Sequence, residues 1–427
     1  MSRSLLAATP FAGHVRPMLG LARALLGRGH EVVVHTGARY AEAVREAGAE
    51  HLPYRAATDF DDTAPEETFP AMARARGPRA LLVDFRELFF GIAPGQAQDM
   101  LAAHEQDPLD AVIAEGTCFG AELFHELSGV PYATASLSPL ALPSRYLPPP
   151  GAPFAPGRTV LGRGRDAALR LLLDRTVDAA FRRLHDEARS AVGIARTDRG
   201  GLHGAWSRDL ILAQGTAEVE PFRPDLPPAV HFVGDLAAGS RGAAVAPDWF
   251  AALDPCLPLV HVSEGTLGRD GSSLVARTVQ ALRDRPVQLV IGGRHRAGRL
   301  PADVIDAGWV PQDLLLPRTD LFVTNGGYGG MMAALSHGVP VLAVPSSVEK
   351  WVGAGNVASS GAGRRLRPGR ASPAALDRAV GEMLRDGDLR QAAQRVAGSM
   401  AAAGGPGRAA ELCEELLEER GPRRIRA

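Results

Sequence analysis

The sequence is short of several things, and each shortage narrows what the protein does. It has one lysine, Lys350, and a net charge of −1. A nucleic-acid binder or a protein drawn to an anionic membrane surface carries a basic excess, so neither class fits. Three cysteines, Cys118, Cys256 and Cys413, stand far apart with no metal-ligand spacing. They read as buried thiols of a reducing compartment, and no metal site is expected. No apolar run reaches membrane-spanning length, and the chain opens on a strand without a signal-peptide pattern. A cytoplasmic protein without stable membrane insertion is expected. The first strand also lacks a following Gly-x-Gly-x-x-Gly, which argues against a dinucleotide-binding domain.

What is present points to two domains. A chain of 427 residues exceeds one ordinary core, and two units of about 200 residues each are the natural division. Leu5–Ala8 reads as a buried strand, Thr9–His14 as a turn, Val15–Leu26 as a helix and Glu31–His35 as a second strand. This βαβ unit opens a doubly wound parallel sheet and sets His14 at a strand's carboxyl end, where open α/β sheets bind ligands. Asp110–Ala114 is a further strand and ends at Glu115, which on its own reads as a cap for the next helix. Helical character over 80–104 suits a pocket wall. The Pro/Gly-rich 139–164 reads as a loop ordered on binding, and Asp59-Phe60-Asp61 as a solvated acidic turn rather than a metal site. We place the first domain at 1–236, a flexible linker at 237–246, the second domain at 247–405 and a closing helix at 406–427.

The second domain carries the most informative stretch. Leu321–Thr324 is a short apolar strand, Asn325-Gly326-Gly327-Tyr328-Gly329-Gly330 follows at once, and a helix begins there. Strand, glycine turn and helix bring bare N–H groups and a helix dipole together, an arrangement suited to phosphate, though such turns are also common as structure alone. Trp309-Val310-Pro311-Gln312 lies upstream, Gly338-Val339-Pro340 and Glu349-Lys350 downstream.

In register over residues 305–363, these motifs resemble the nucleotide-sugar-dependent glycosyltransferases of the plant and bacterial secondary-metabolite type. The resemblance implies the GT-B fold: two Rossmann-like, doubly wound parallel-sheet domains facing across a cleft, the last helix crossing back to the first. It implies an inverting transfer from a dTDP- or UDP-sugar to a hydroxyl or N–H of an apolar small molecule in antibiotic biosynthesis, with no obligatory metal and no cofactor beyond the donor. His14, in Gly13-His14-Val15-Arg16-Pro17, stands where the family has its general base, and Glu115 where the family has an aspartate that orients it. Donor contacts are implied at Gly13, Gly265, Thr266, Trp309, Val310, Gln312, Asn325, Gly326, Gly327, Gly329, Gly330, Glu349 and Lys350. Trp309 would stack on the base and Thr266 meet a phosphate, against the alternatives of core packing and an ordinary loop. Glu349 and Lys350 are either sugar contacts or an exposed ion pair. Three positions depart from the pattern: Asn325 replaces His, its amide still able to donate to phosphate; Gly330 replaces Ser/Thr; Ala333 replaces a ribose-gripping Glu. Two other readings stay open: a sugar-nucleotide epimerase, which shares the fold, and a non-catalytic sugar-nucleotide-binding helper, which the missing Ser/Thr and Glu allow. The oligomer is expected to be a monomer or homodimer.

Overall fold

The computed structural model describes residues 1–140, 142–149, 152, 156–157, 159–197, 201–239, 246–264, 273–295, 297–308 and 312–420. Among these, seven strands form a first parallel sheet: β1 (Arg3–Ala7), β2 (Glu31–Thr36), β3 (Glu50–Pro53), β4 (Ala111–Glu115), β5 (Tyr132–Ser136), β6 (Leu210–Gln214) and β7 (Val230–Gly234). Their order is β3-β2-β1-β4-β5-β6-β7. Six more form a second: β8 (Leu259–Ser263), β9 (Gln288–Gly292), β10 (Val304–Gly308), β11 (Leu321–Thr324), β12 (Val341–Ala343) and β13 (Gly363–Arg365), in the order β10-β9-β8-β11-β12-β13. Both orders reverse next to the first strand of their sheet. That reversal is the switch point at which doubly wound sheets open a crevice at the strands' carboxyl ends.

Strand alternation divides each core in two. In the first sheet Leu6, Val34, Ile113 and Leu212 face the helix Ala12–Gly27, while Leu5, Val112 and Ala114 face the helices Ala93–Gln106, Gly120–Ser128 and Ala179–Ala191. The final helix, Gly405–Arg420, inserts Ala409, Leu412, Cys413 and Leu416 into the first of these cores. It is pinned there by Glu414, which accepts from Arg28 Nη2 at 2.6 Å and lies 2.7 Å from His30 Nε2. This helix therefore packs on the first sheet and not on the second, which precedes it in the sequence. In the second sheet Phe322 and Val341 pack on Tyr328–Ser336 and Gly387–Ala402, and Val260, Val323 and Leu342 on Leu274–Leu282 and Pro373–Arg385.

Several expectations need correction. The first helix starts at Ala12, so His14 lies within its first turn and not in a loop before it. The loop after Pro139 ends at Thr159, whose side chain caps a helix from Val160 by accepting the Gly162 N–H at 3.1 Å. That loop is tied down: Arg223 donates to the carbonyls of Leu140 and Leu142, and Asp225 accepts from Ser144 and the Arg145 N–H. Cys118 and Cys413 are buried, but Cys256 is exposed, on a turn where its N–H donates to Asp254. The short edge strands β3, β10 and β13 carry too few apolar residues to stand out in the sequence. Positions 240–245, most of the expected linker, lie outside the described residues. No helix of the described residues is long and apolar enough to cross a membrane.

Candidate active site

Parallel pairing of β1 with β4, Ala7 opposite Ala114, brings the ends of both strands side by side. The chain leaves β1, turns through Phe11 as helix N-cap, and presents His14 from the helix's first turn. Glu115 ends β4, and its Oε1 is 3.2 Å from His14 Nδ1. The carboxylate is 2 % exposed and the imidazole 29 %, so the acid is sealed in while the ring reaches the cleft. Oε1 also accepts from Thr9 Oγ1 at 2.8 Å, from the Thr9 N–H at 3.3 Å and from Thr117 Oγ1 at 2.7 Å; Oε2 accepts from the Thr117 N–H at 2.9 Å. Burial works against the charged imidazole, but the Glu115 carboxylate outweighs it, with smaller help from Glu349 and Asp62, and raises the pKa above 6.5. For Glu115, burial favours the neutral acid, yet the His14 charge and the threonine hydrogen bonds pull its pKa down to about 2. Of the two alternatives read from the sequence, Glu115 meets the imidazole. It caps no helix: the next one has Phe119 as N-cap without a side-chain cap, and of that segment Glu115 bonds only the Thr117 turn before it.

One wall beside His14 is aromatic. The Phe11 ring lies 5.4 Å from the His14 ring, 5.4 Å from Phe60 and 6.1 Å from Phe89. Phe89 comes from a π-helical turn, Arg86–Phe90, that interrupts the expected wall helix; such widened turns re-aim side chains and are frequent at functional sites. The Asp59-Phe60-Asp61 turn is structural. Asp59 accepts from the Ala38 N–H at 2.9 Å, and Asp61 pairs with Arg39 and accepts from Thr63.

Across the cleft, β11 runs into Asn325, Gly326 and Gly327, and the helix Tyr328–Ser336 begins there. A helix's first N–H groups have no partner in their own helix, whereas the Asn325 and Gly326 N–H groups just before it donate to the Ser263 carbonyl and to Thr324 Oγ1. Gly326 has φ +87°, a conformation that side chains disfavour. The Asn325 Nδ2 donates one of its two hydrogens to the Glu264 carbonyl, while Oδ1 is buried without a hydrogen-bond partner. Asn325 therefore ties the ends of β11 and β8 together. Ala333 is fully buried on a helix apolar all round. Gly329 is exposed at the helix start, and a Cβ on Gly330 would meet only the Phe322 ring, at 3.5 Å. Gly13 is likewise open, with nothing within 4 Å of a built Cβ. Glu349 is exposed in the first turn of Val348–Ser359, and Lys350 Nζ reaches Ser346 Oγ at 3.4 Å. Gln312 opens a short helix. Gly265, Thr266, Trp309 and Val310 lie outside the described residues.

Contacts absent from any local sequence pattern hold the two halves face to face. Tyr328 Oη donates to the Gln214 carbonyl at 3.0 Å, at the end of β6. A Cβ on Gly215 would lie 2.9 Å from that hydroxyl, so only glycine permits the approach. Glu220 joins both domains, accepting from the Leu140 N–H at 2.6 Å and from Asn356 Nδ2 at 2.7 Å. Burial pushes its carboxyl up to about 7, against the opposing pull of the Leu140 N–H and Arg223. Replacing Glu220 with alanine strands two buried donors, at about 1–3 kcal/mol each. The expected outcome is a lower melting temperature and weaker nucleotide protection against melting; a variant that melts as wild type would remove this strut from the account.

Comparison with known proteins agrees with this layout. Residues 281–416 match the family described as erythromycin biosynthesis protein CIII-like, C-terminal domain. The chain is 36 % identical to 4'-demethylrebeccamycin synthase of Lentzea aerocolonigenes, over 97 % of this chain and 100 % of the relative. It is 30 % identical to demethyllactenocin mycarosyltransferase of Streptomyces fradiae, over 96 % of this chain and 85 % of the relative. Among solved structures it resembles the calicheamicin glycosyltransferase CalG4, with TM-score 0.75 at 22 % identity over 100 % of both chains. It also resembles the kitacinnamycin glycosyltransferase, with TM-score 0.72 at 25 % identity over 97 % of this chain and 99 % of that one.

Proposed function

The chain belongs to the natural-product glycosyltransferases of the GT-B fold, and from that premise we propose that it moves a sugar from a dTDP- or UDP-linked donor onto an apolar, aromatic-lined acceptor, with His14 as general base and inversion at the anomeric carbon. The observation that carries the reading is the His14–Glu115 pair at the crevice of the first sheet. With Nδ1 turned to the carboxylate, Nε2 is left to take a proton from the acceptor. As it does so, the acceptor oxygen or nitrogen bonds to the anomeric carbon, the bond from that carbon to the diphosphate oxygen breaks, and the electron pair leaves on the diphosphate.

The N–H groups of Gly327, Tyr328, Gly329 and Gly330, at the positive end of the helix, stabilise that leaving charge. Glu349, whose charge is felt at His14, accepts hydrogen bonds from sugar hydroxyls, and Lys350 beside it adds a donor. Gln312 contacts the ribose. The sequence pattern alone supports base stacking by Trp309 and phosphate contact by Thr266. Phe89, part exposed and backed by the buried Phe11 and Phe60, offers the acceptor an apolar surface.

The test is release of nucleoside diphosphate from a panel of UDP- and dTDP-sugars, with aromatic and macrocyclic acceptors, followed by mass spectrometry of the product. Acceptor-dependent release with a glycosylated product is expected. Release without acceptor would assign a hydrolysing epimerase instead, and nucleotide binding without turnover a helper protein.

A further inference from the structure

Glutamate is a flexible choice for a residue that must orient an imidazole. It has three side-chain torsions, and several of its rotamers would turn the carboxylate away from His14. In the fold only one arrangement is supported. Oε1, the oxygen nearest His14 Nδ1, receives the hydroxyl protons of both Thr9 and Thr117. The two threonines also donate their backbone N–H groups, one to each carboxylate oxygen. Thr9 is fully buried behind the acid. The backbone between Glu115 and Thr117 is held in turn by Trp206, whose Nε1–H donates to the Gly116 carbonyl at 2.8 Å and whose ring lies 3.0 Å from a Cβ built on Gly116.

We propose that Thr9 and Thr117 are positioning residues that clamp the Glu115 carboxylate against His14 and fix the tautomer of the base. A hydroxyl has a single proton. Thr117 spends its proton on Oε1, so its oxygen, 3.4 Å from His14 Nδ1, can only accept from that nitrogen. Nδ1 thus meets two acceptors, Glu115 Oε1 and Thr117 Oγ1, and no donor among its neighbours described above. The proton settles on Nδ1 and the lone pair on Nε2, the nitrogen left to face the acceptor. The threonines do not touch substrate; they act through Glu115. The other charges that bear on His14, Asp62 and Glu349, are separate from the clamp.

The proposal rests on His14 being the base, and the experiment separates the two. Thr9→Val and Thr117→Val remove each hydroxyl while keeping the side chain's shape; Thr9→Ser and Thr117→Ser restore it. Each valine variant is expected to lower kcat about tenfold with donor KM unchanged. Each is also expected to move the acid limb of the kcat/KM profile to lower pH, by roughly half a unit, as the carboxylate loses its fixed approach to the imidazole. The serine variants should return both quantities toward wild type. In a Glu115→Gln background the valine substitutions should cost nothing further, because the group they act through is gone.

Titration of the His14 ring by NMR gives the same comparison without turnover, and melting temperatures confirm folding. Valine variants that keep the wild-type kcat and titration overturn the clamp. So does an undiminished cost in the Glu115→Gln background, which would make the threonines structural. If wild type shows no acceptor-dependent transfer, or His14→Ala keeps it, the reading of the site fails and not the clamp alone.

Discussion

His14→Ala is expected to lower kcat for acceptor-dependent transfer by about 10²–10⁴-fold, the usual contribution of a positioned general base, while donor binding stays near wild type. The side chain is part exposed and lies at a helix start, so its loss opens no cavity in the core and folding should be unaffected. Steady-state kinetics with calorimetric nucleotide binding separates the two effects; a variant with full kcat would dismiss His14 as the base. The pH profile carries a second sign. A base works only when neutral, and Glu115 outweighs burial to hold His14 above its ordinary 6.5. The wild-type kcat/KM should therefore fall as pH drops, with an acid limb above 6.5. Removing the carboxylate by Glu115→Gln leaves burial, the largest influence, and the helix N-terminus to disfavour the imidazolium, against only the smaller opposing pull of Glu349 and Asp62. The limb should then move below 6.5. An acid limb that ignores the Glu115 substitution would show that another group titrates there.

Gly326→Val is the matching experiment on the donor side. The residue stands at φ +87°, and a Cβ there would lie 3.2 Å from Lys350 Cβ and 3.3 Å from the Lys350 carbonyl oxygen. A β-branched side chain in that conformation costs about 1–3 kcal/mol in backbone strain, and the Lys350 backbone must also give way. The N–H groups that follow then leave the position of the leaving diphosphate. Loss of one such oriented donor typically costs about 10²–10³-fold in rate, so donor kcat/KM should fall at least that far, with acceptor binding spared. Gly330→Ala is the control. A Cβ at that position meets only the Phe322 ring at ordinary contact distance, and the variant should behave nearly as wild type. Equal losses at Gly326 and Gly330 would mean that the turn tolerates no side chain anywhere, and the argument from φ would fail.

Much of the site was legible because its signals are local. Strand Leu321–Thr324, the glycines after it and the helix from Tyr328 are contiguous, and each follows from side-chain size and periodicity within a few residues. The same holds for His14 after β1 and Glu115 at the end of β4, since these strands flank the switch point at which a doubly wound sheet opens its crevice. What was not legible is long-range: nothing in the neighbours of Asn325 shows that its Nδ2 donates to the Glu264 carbonyl, sixty-one positions earlier.

Sequence alone therefore determined the fold class, the division into two parallel-sheet domains, the placing of His14 and Glu115 at strand ends, and the glycine turn. Each depends on hydrophobic pattern or backbone conformation, properties a residue carries with it. Tertiary structure decided the rest. It chose Thr9 as the partner of Glu115 across 106 positions, Gln214 as the acceptor for Tyr328 across 114, and Glu220 as the link to Asn356 across 136. It also buried Ala333 and brought the charge of Glu349 to bear on His14. These are pairings of polar groups that water would satisfy equally well in the open chain. They become specific only when packing removes the water and leaves a single partner in reach.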